Sequence, residues 1–466
     1  MTSKTHPTLA PDRALATRPE DERLSVSANF LYGLQHVLTM YGGIIAVPLI
    51  VGQAAGMSGA ETGILIAACL FMGGLATMLQ TLGLPFLGCR LPLVQGVSFA
   101  SVATIIAILK GGGDIQTVFG AVMVASVIGL LITPVFSRVI KYFPPLVTGS
   151  VITIIGLSLI PVAAQWAMGG HPKANDYGNL SNIGLAAVTL FIVLLLSKLG
   201  NAAISRLSIL LAMVLGTLIA LLTGMTDFSG SAGSSLMALP TLFHFGLPTF
   251  KLAAIASMVI VILVVMVETS ADILAVSDIV GTRVDEKRLG DGLRADMLSS
   301  ALAPIFGSFT QSAFAQNVGL VAVTGIKSRY AVATSGMIML ALGLLPGVGR
   351  IIAAVPPAVL GGAGLVLFGT VAASGIRTLT KVKYENNMNM IIVATSVGFG
   401  MIPIVKPEFY DHFPAWFSTI FHSGISSTAL MAVVLNLIFN HIKFGNSDQQ
   451  SVFVAGTNRI VKELED

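Results

Sequence analysis

Ala256-Ser257-Met258-Val259-Ile260-Val261-Ile262-Leu263-Val264-Val265-Met266-Val267-Glu268-Thr269-Ser270-Ala271-Asp272 is an apolar run of membrane-spanning character that ends in two carboxylates. Glu268 and Asp272 are four positions apart, so a helix carries both on one face. An ionisable group inside a span costs at least ~2.5 kcal/mol on insertion scales, and such groups normally face a polar cavity and serve transport. The plainer alternative is that Asp272 marks the helix end and Glu268 is a neutral structural hydrogen-bonder.

The rest of the chain has the same character. Of 466 residues, 54% are hydrophobic and 10% charged, against about 25% charged in soluble domains, which excludes a water-soluble globule. Apolar segments follow one another with short polar links, as in one polytopic bundle. The 26 Lys and Arg against 22 Asp and Glu make a modest basic balance that sits in particular loops and gives no nucleic-acid signal. Cys69 lies in an apolar span and Cys89 beside Arg90, a context for neither a disulfide nor a metal. Residues 1–28 are polar, have no apolar signal-peptide core and are expected to form a cytoplasmic tail, as are residues 441–466.

With about 20 apolar residues per crossing, spans are expected near 29–52, 61–82, 92–109, 117–136, 146–166, 182–197, 206–223, 252–276, 291–307, 312–324, 331–348, 356–376, 388–405 and 423–440. This count of fourteen places 21 of the 26 Lys and Arg on one side and five on the other. The positive-inside rule makes the richer side cytoplasmic, with both termini on it.

Phe143-Pro144-Pro145-Leu146-Val147-Thr148-Gly149 opens the fifth span and Val355-Pro356-Pro357-Ala358-Val359-Leu360-Gly361 the twelfth. Proline suits a first helical turn, so the pairing has an ordinary reading as well. A displacement of seven spans, however, makes the two copies enter the membrane from opposite sides, as inverted repeats do. The expected fold is an all-α polytopic membrane protein of fourteen transmembrane segments arranged as two inverted seven-span repeats.

Transporters of inverted-repeat design bind near the midplane, where corresponding helices are broken. The third and tenth spans correspond. They read Leu91-Pro92-Leu93-Val94-Gln95-Gly96-Val97-Ser98-Phe99 and Phe309-Thr310-Gln311-Ser312-Ala313-Phe314-Ala315-Gln316-Asn317-Val318-Gly319, and short extended breaks are expected in both. Each combines an amide, a Ser, a Phe and a Gly, which offers donors, acceptors and a stacking ring to a flat polar solute. An ordinary polar loop is the alternative.

Gln316-Asn317-Val318-Gly319-Leu320-Val321-Ala322-Val323-Thr324-Gly325 resembles the Gln/Glu-Asn-x-Gly-x-x-x-x-Thr signature of the nucleobase-ascorbate transporter (nucleobase:cation symporter-2) family. Gln35-His36, Gln95-Gly96-Val97-Ser98-Phe99, Glu268-Thr269-Ser270-Ala271-Asp272 and Ala295-Asp296 extend the resemblance over the membrane region. Gln316 in place of Glu is similar to the xanthine and uric acid permease branch. Asn-Val-Gly and Ser98 look like members that accept uric acid, and Asp272 like members that favour xanthine, so the choice of purine stays open.

The resemblance implies a core domain (residues 29–136 and 252–330, with the span at 331–348) that moves against a gate domain (137–223 and 355–440). It also implies a homodimer in a bacterial-type cytoplasmic (inner) membrane, with a proton as the coupling ion and no cofactor. The expected activity is proton-coupled uptake of xanthine, uric acid or both; a carrier of another nucleobase such as uracil, or an uncoupled channel, is the alternative. Glu268 can accept from purine N–H groups, the Gln316 amide can donate and accept across a C=O/N–H pair, and Phe99 can stack. Ser98 lies at the edge of that ring, and backbone amides near Phe99 and Ala315 can hold carbonyl oxygens.

Coupling falls to Glu268, with Asp272 and Asp296 as competitors. His36 either lies on the proton path or props Asp272 or Asp296 through a hydrogen bond. Asn317 is expected to close the break rather than touch the ligand. An enzyme is not indicated: Gly361-Gly362-Ala363-Gly364 follows no strand and precedes no Lys-Ser/Thr, so it reads as close helix packing.

Overall fold

The structure, a computed structural model, describes residues 18–139, 144–226, 237–384, 387–414, 417–418 and 421–441. Phe143, most of the expected N-terminal tail and the C-terminal tail beyond residue 441 lie outside them. In chain order the helices are α1 (Val26–Ala54), α2 (Gly59–Leu82), α3 (Val102–Lys110), α4 (Ile115–Val139), α5 (Pro145–Ala167) and α6 (Leu180–Leu199). They continue as α7 (Ala202–Arg206), α8 (Ser208–Leu222), α9 (Leu252–Val280), α10 (Glu286–Leu302), α11 (Ala315–Thr324), α12 (Arg329–Gly343) and α13 (Pro346–Ala353). The last are α14 (Pro357–Leu379), α15 (Asn387–Val405) and α16 (Gly424–Asn436). Two strands, β1 (Gln95–Val97) and β2 (Gln311–Ala313), complete the described fold.

Among the described residues, 8 helices are long and apolar enough to cross a membrane, and α12 with α13, bent by 81°, makes a ninth span if taken as one. The bend falls where Pro346 opens α13 and denies it an upstream hydrogen bond. Shorter apolar helices lie at Phe99–Lys110, Ser208–Leu222 and Gly424–Asn440.

Local chemistry sets many of these ends. Ser58 caps α2 in a reciprocal pair with Glu61, whose carboxylate accepts the Ser58 N–H at 2.8 Å. The Asp285 carboxylate caps α10 by accepting from the Arg288 N–H at 2.7 Å. Pro144 and Pro356 occupy the position before α5 and α14, with Pro145 and Pro357 as first helical residues.

Those two proline-led helices pack antiparallel along their length. A Cβ on Gly156 would lie 2.2 Å from the Ala372 nitrogen, one on Gly375 2.2 Å from the Thr153 nitrogen, and one on Gly361 2.2 Å from the Ala167 nitrogen. Only glycine lets the backbones approach this closely, the packing mode of helices that have no hydrophobic driving force between them.

The helices pack in two groups. α1–α4 lie with α9–α13, while α5–α8 lie with α14–α16; α1 and α9 face the second group, as does Phe99 in the first turn after β1. Charged residues collect at the ends. Arg288 pairs with Glu20 at 2.6 Å and Arg329 with Asp21 at 2.6 Å, and Arg329 also donates to the carbonyls of Thr81 and Leu82. The loops carrying these residues therefore share one end of the bundle. At another point of the surface, Lys251 donates to the Gly112 carbonyl at 3.3 Å and so joins the loop after α3 to the start of α9.

Candidate functional site

The two expected breaks meet each other. β1 and β2 pair antiparallel in the buried interior with Gln95 opposite Ala313, Gly96 opposite Ser312 and Val97 opposite Gln311. The ladder runs on at both ends, through Ser98 N–H to the Thr310 carbonyl at 2.8 Å and Phe314 N–H to the Val94 carbonyl at 3.0 Å. Extended backbone at this depth survives only if its polar groups are paired within the protein.

A two-stranded ladder still has two open outer edges, and each is closed by a hydroxyl from a neighbouring helix. Thr77 Oγ on α2 accepts from the Gln95 N–H at 2.9 Å and donates to the Gln95 carbonyl at 3.1 Å. Ser300 Oγ on α10 accepts from the Gln311 N–H at 2.8 Å and donates to the Gln311 carbonyl at 3.4 Å.

Each strand leads into a helix that points away from the pair. Ser98 Oγ accepts from the Ala100 N–H at 3.2 Å and starts the turn Phe99–Ser101 that runs into α3. α11 begins after Phe314 with no side-chain cap, so the backbone amides of its first turn face the break. The two helix starts thus bring partial positive charge to either side of one crossing point. The half-buried Ala315 and Gln316 lie in the first turn of α11.

Aromatic rings fill the space beside the strands. Phe99 lies 6.1 Å from Phe314, centroid to centroid, and meets Phe368 of α14 edge-on at 6.0 Å. The Phe314 ring fits between two glycines: a Cβ on Gly96 would stand 2.6 Å from its Cε2, and one on Gly43 2.8 Å from its Cε1. Phe368 in turn lies 6.2 Å from Trp166 of α5, whose indole N–H donates to the Gln53 side-chain oxygen at 2.6 Å. Phe99 therefore touches both helix groups.

α9 runs alongside β2, α11 and the turn after β1, and carries Glu268, Thr269 and Asp272 there. Thr269 Oγ donates to Asp296 Oδ2 at 2.5 Å and accepts from the Ala313 N–H at 3.3 Å, so one hydroxyl ties α9 to α10 and to β2. Several buried polar atoms have no hydrogen-bond partner among the described residues: Glu268 Oε2, Asp272 Oδ2, Asp296 Oδ1, Asn317 Oδ1, Gln311 Oε1 and both polar atoms of the Gln95 amide. Buried polar groups are nearly always satisfied, so such a concentration around one backbone break is the mark of a ligand or water site.

His36 requires a correction. It does not prop Asp272 or Asp296; the Asn317 amide donates to His36 Nδ1 at 2.9 Å and to the His36 carbonyl at 3.2 Å. The bond pins the first turn of α11 to α1. The reason is the route of the chain: after β2, α11 turns toward α1 and brings Asn317 to the imidazole ahead of either carboxylate. Reading the sequence also missed Thr77, Thr269 and Ser300. Thr269 lies within the quoted Glu268–Asp272 stretch without a role of its own there, and for all three hydroxyls the partner lies 11 to 44 residues away, so no local pattern marks the contact.

Most of the chain is similar to known transport proteins. The sequence profile of the Permease family, Xan_ur_permease, matches residues 27–409. The chain is 40% identical over 430 residues to the uric acid transporter UacT of Escherichia coli (strain K12), covering 91% of this chain and 89% of that protein. It is 39% identical over 408 residues to the xanthine permease of Bacillus subtilis (strain 168), covering 88% and 93%. Among solved structures, the transmembrane domain of a cyanobacterium bicarbonate transporter, BicA, superposes with a TM-score of 0.58 at 16% identity over 88% of this chain and 97% of that one, a likeness of fold. The chain belongs to the xanthine and uric acid permeases of the nucleobase-ascorbate transporter family and is a transport protein, not an enzyme.

Proposed function

We propose that the protein takes up xanthine, uric acid or both across the cytoplasmic membrane by proton symport. The observation that carries this reading is the set of buried amide and carboxylate atoms without hydrogen-bond partners among the described residues where β1 and β2 pair. A planar oxopurine presents alternating N–H and C=O groups along its edges. Glu268 accepts from ring N–H groups, Gln316 donates to and accepts from the adjacent edge, and Phe99 covers the ring face. The backbone amides at Phe99 and Ala315 receive carbonyl oxygens, and Ser98 bounds the edge nearest the strand pair. The names of the two relatives, a uric acid transporter and a xanthine permease, supply the substrate class.

Coupling follows if Glu268 holds the proton that lets it enter and leave a dry site, because an uncompensated carboxylate is costly there. Asp272 and Asp296 support the site, and His36 and Asn317 hold α11 to α1. In this reading α1–α4 with α9–α13 form the core, and α5–α8 with α14–α16 form the gate. Phe99 against Phe368 and Gln53 against Trp166 are contacts that must rearrange when the two move. Thr77 with β1 and Ser300 with β2 are related as the second and third spans are to the ninth and tenth. That relation supports two inverted seven-span repeats, fourteen segments in all. The charge asymmetry of the loops makes both termini cytoplasmic in this reading, and the homodimer is carried over from the family resemblance.

The test is uptake of labelled xanthine and labelled urate in cells lacking their own purine carriers, each competed by the other and by uracil. Saturable uptake that an uncoupler abolishes, inhibited by the two oxopurines and not by uracil, is expected. Uptake indifferent to the uncoupler, or competed best by uracil, overturns the proposal.

A further inference from the structure

Away from the strand crossing, a cavity of about 650 Å³ opens at the end of the bundle where α2 and α9 finish and α10 starts. Arg18, Arg90, Arg283, Lys287 and Arg288 line it, against two acids, Asp285 and Asp291. Both acids are engaged: Asp285 caps α10 and Asp291 pairs with Arg294 at 3.0 Å. Of the cations, Arg288 is committed to Glu20 and to the carbonyls of Cys89, Arg90 and Arg283. Arg18, Arg90, Arg283 and Lys287 form no ion pair among the described residues. Arg90 adopts φ 55, a left-handed conformation unusual for a residue with a side chain.

The mouth of the cavity has a second, different surface. Leu84, Pro85 and Phe86 also line it, in the turn that leaves α2, with Leu84 57% and Phe86 67% exposed. Unpaired guanidinium and ammonium groups converging on a concave space suit a phosphate, which guanidinium binds in bidentate fashion. An exposed apolar lip beside them suits the glycerol and acyl region below a phospholipid headgroup, and basic pockets at the ends of membrane helices hold such headgroups.

We propose that this cavity is a phosphate-anion site, separate from the transport site, and that its ligand is the headgroup of an anionic phospholipid. The lip decides for lipid over a soluble phosphate, since a soluble anion gains nothing from Leu84 and Phe86. Bound lipid would tie the turn after α2 to the start of α10. Those are the two helices whose Thr77 and Ser300 close the strand pair, so the site bears on the stability of the same half of the protein.

The test uses the purified full chain in phosphatidylcholine nanodiscs, with its thermal unfolding midpoint followed as phosphatidylglycerol replaces phosphatidylcholine, and separately as inorganic phosphate is added. The midpoint is expected to rise with phosphatidylglycerol, less so at high salt, and to stay put with inorganic phosphate. Arg283→Gln with Lys287→Gln should weaken the apparent lipid affinity roughly 5-fold per charge removed, the factor that about 1 kcal/mol per basic group gives. Lys110→Gln with Lys251→Gln removes the same charge away from the cavity and should leave the lipid response intact. If that control pair loses the response equally, the effect is general surface charge and the site is overturned. A response to inorganic phosphate that Arg283→Gln with Lys287→Gln abolishes would keep the anion site and overturn the lipid as its source. No response to either ligand overturns both.

Discussion

The Thr77 hydroxyl closes both backbone groups of Gln95, accepting from its N–H at 2.9 Å and donating to its carbonyl at 3.1 Å. Ser300 does the same for Gln311 on the other strand. Each hydroxyl replaces the missing neighbour strand of a ladder buried away from water. Thr77→Val keeps the shape and leaves an N–H and a carbonyl unpaired, at a cost of ~1–3 kcal/mol. A lowered melting midpoint in detergent and weaker purine uptake are expected, with Thr77→Ser restoring both. A Thr77→Val protein as stable and active as the parent would show that the strand pair does not depend on this hydroxyl.

Gly96 leaves the room that Phe314 occupies. Gly96→Ala puts a methyl group 2.6 Å from the ring, and relieving such overpacking costs ~1–3 kcal/mol. The ring must shift away from β1 toward Gly43 and disturb its contact with Phe99, so the Michaelis constant for uptake should rise severalfold. Gly184→Ala, where no described residue lies within 4 Å of the added carbon, should have no such effect; equal kinetics for the two variants would count against the packing argument.

Ser98 starts the turn that carries Phe99. Asn caps as well as Ser does, so Ser98→Asn should preserve the fold while crowding the edge nearest the additional oxygen of urate. Steric rejection of this kind is worth ~1–3 kcal/mol. Urate uptake should therefore drop more than xanthine uptake, partially rather than absolutely; a matched loss of both would remove Ser98 from the specificity argument.

Glu268 Oε2 is buried with no hydrogen-bond partner among the described residues. Glu268→Gln holds the shape but fixes a neutral amide that donates on one side. Active accumulation should vanish while purine exchange in membrane vesicles and insertion persist, and Glu268→Asp should retain partial uptake. Gln316→Glu should instead change which ligands compete, because a carboxylate has lost the amide's donor. Accumulation by Glu268→Gln at a near-normal rate would move the coupling role to Asp272 or Asp296.

Lys173 sits in the exposed connection between α5 and α6, while the native Cys69 and Cys89 are both fully buried. In Lys173→Cys, an impermeant thiol reagent should label intact cells above the parental background. Labelling only after permeabilisation would invert the proposed topology.

Composition and hydropathy determined that this chain is a polytopic membrane protein, since 10% charge spread over 466 residues cannot cover a soluble surface. The Pro-Pro starts of α5 and α14, the broken character of residues 92–99 and 309–319, and the motif around Gln316 were readable because each is local: a proline pair, a run of small polar residues, a short spacing. The carboxylates at 268 and 272 were readable for the same reason, being costly wherever a span carries them. Only the tertiary structure decided that the two breaks pair with each other, that Thr77, Thr269 and Ser300 hold the pair and its carboxylates, and that His36 meets Asn317 instead of Asp272 or Asp296. A hydrogen bond between residues as far apart as 36 and 317 leaves no periodicity and no spacing in the chain. It exists because packing carries two distant helices to the same point, and packing is a property of the whole bundle.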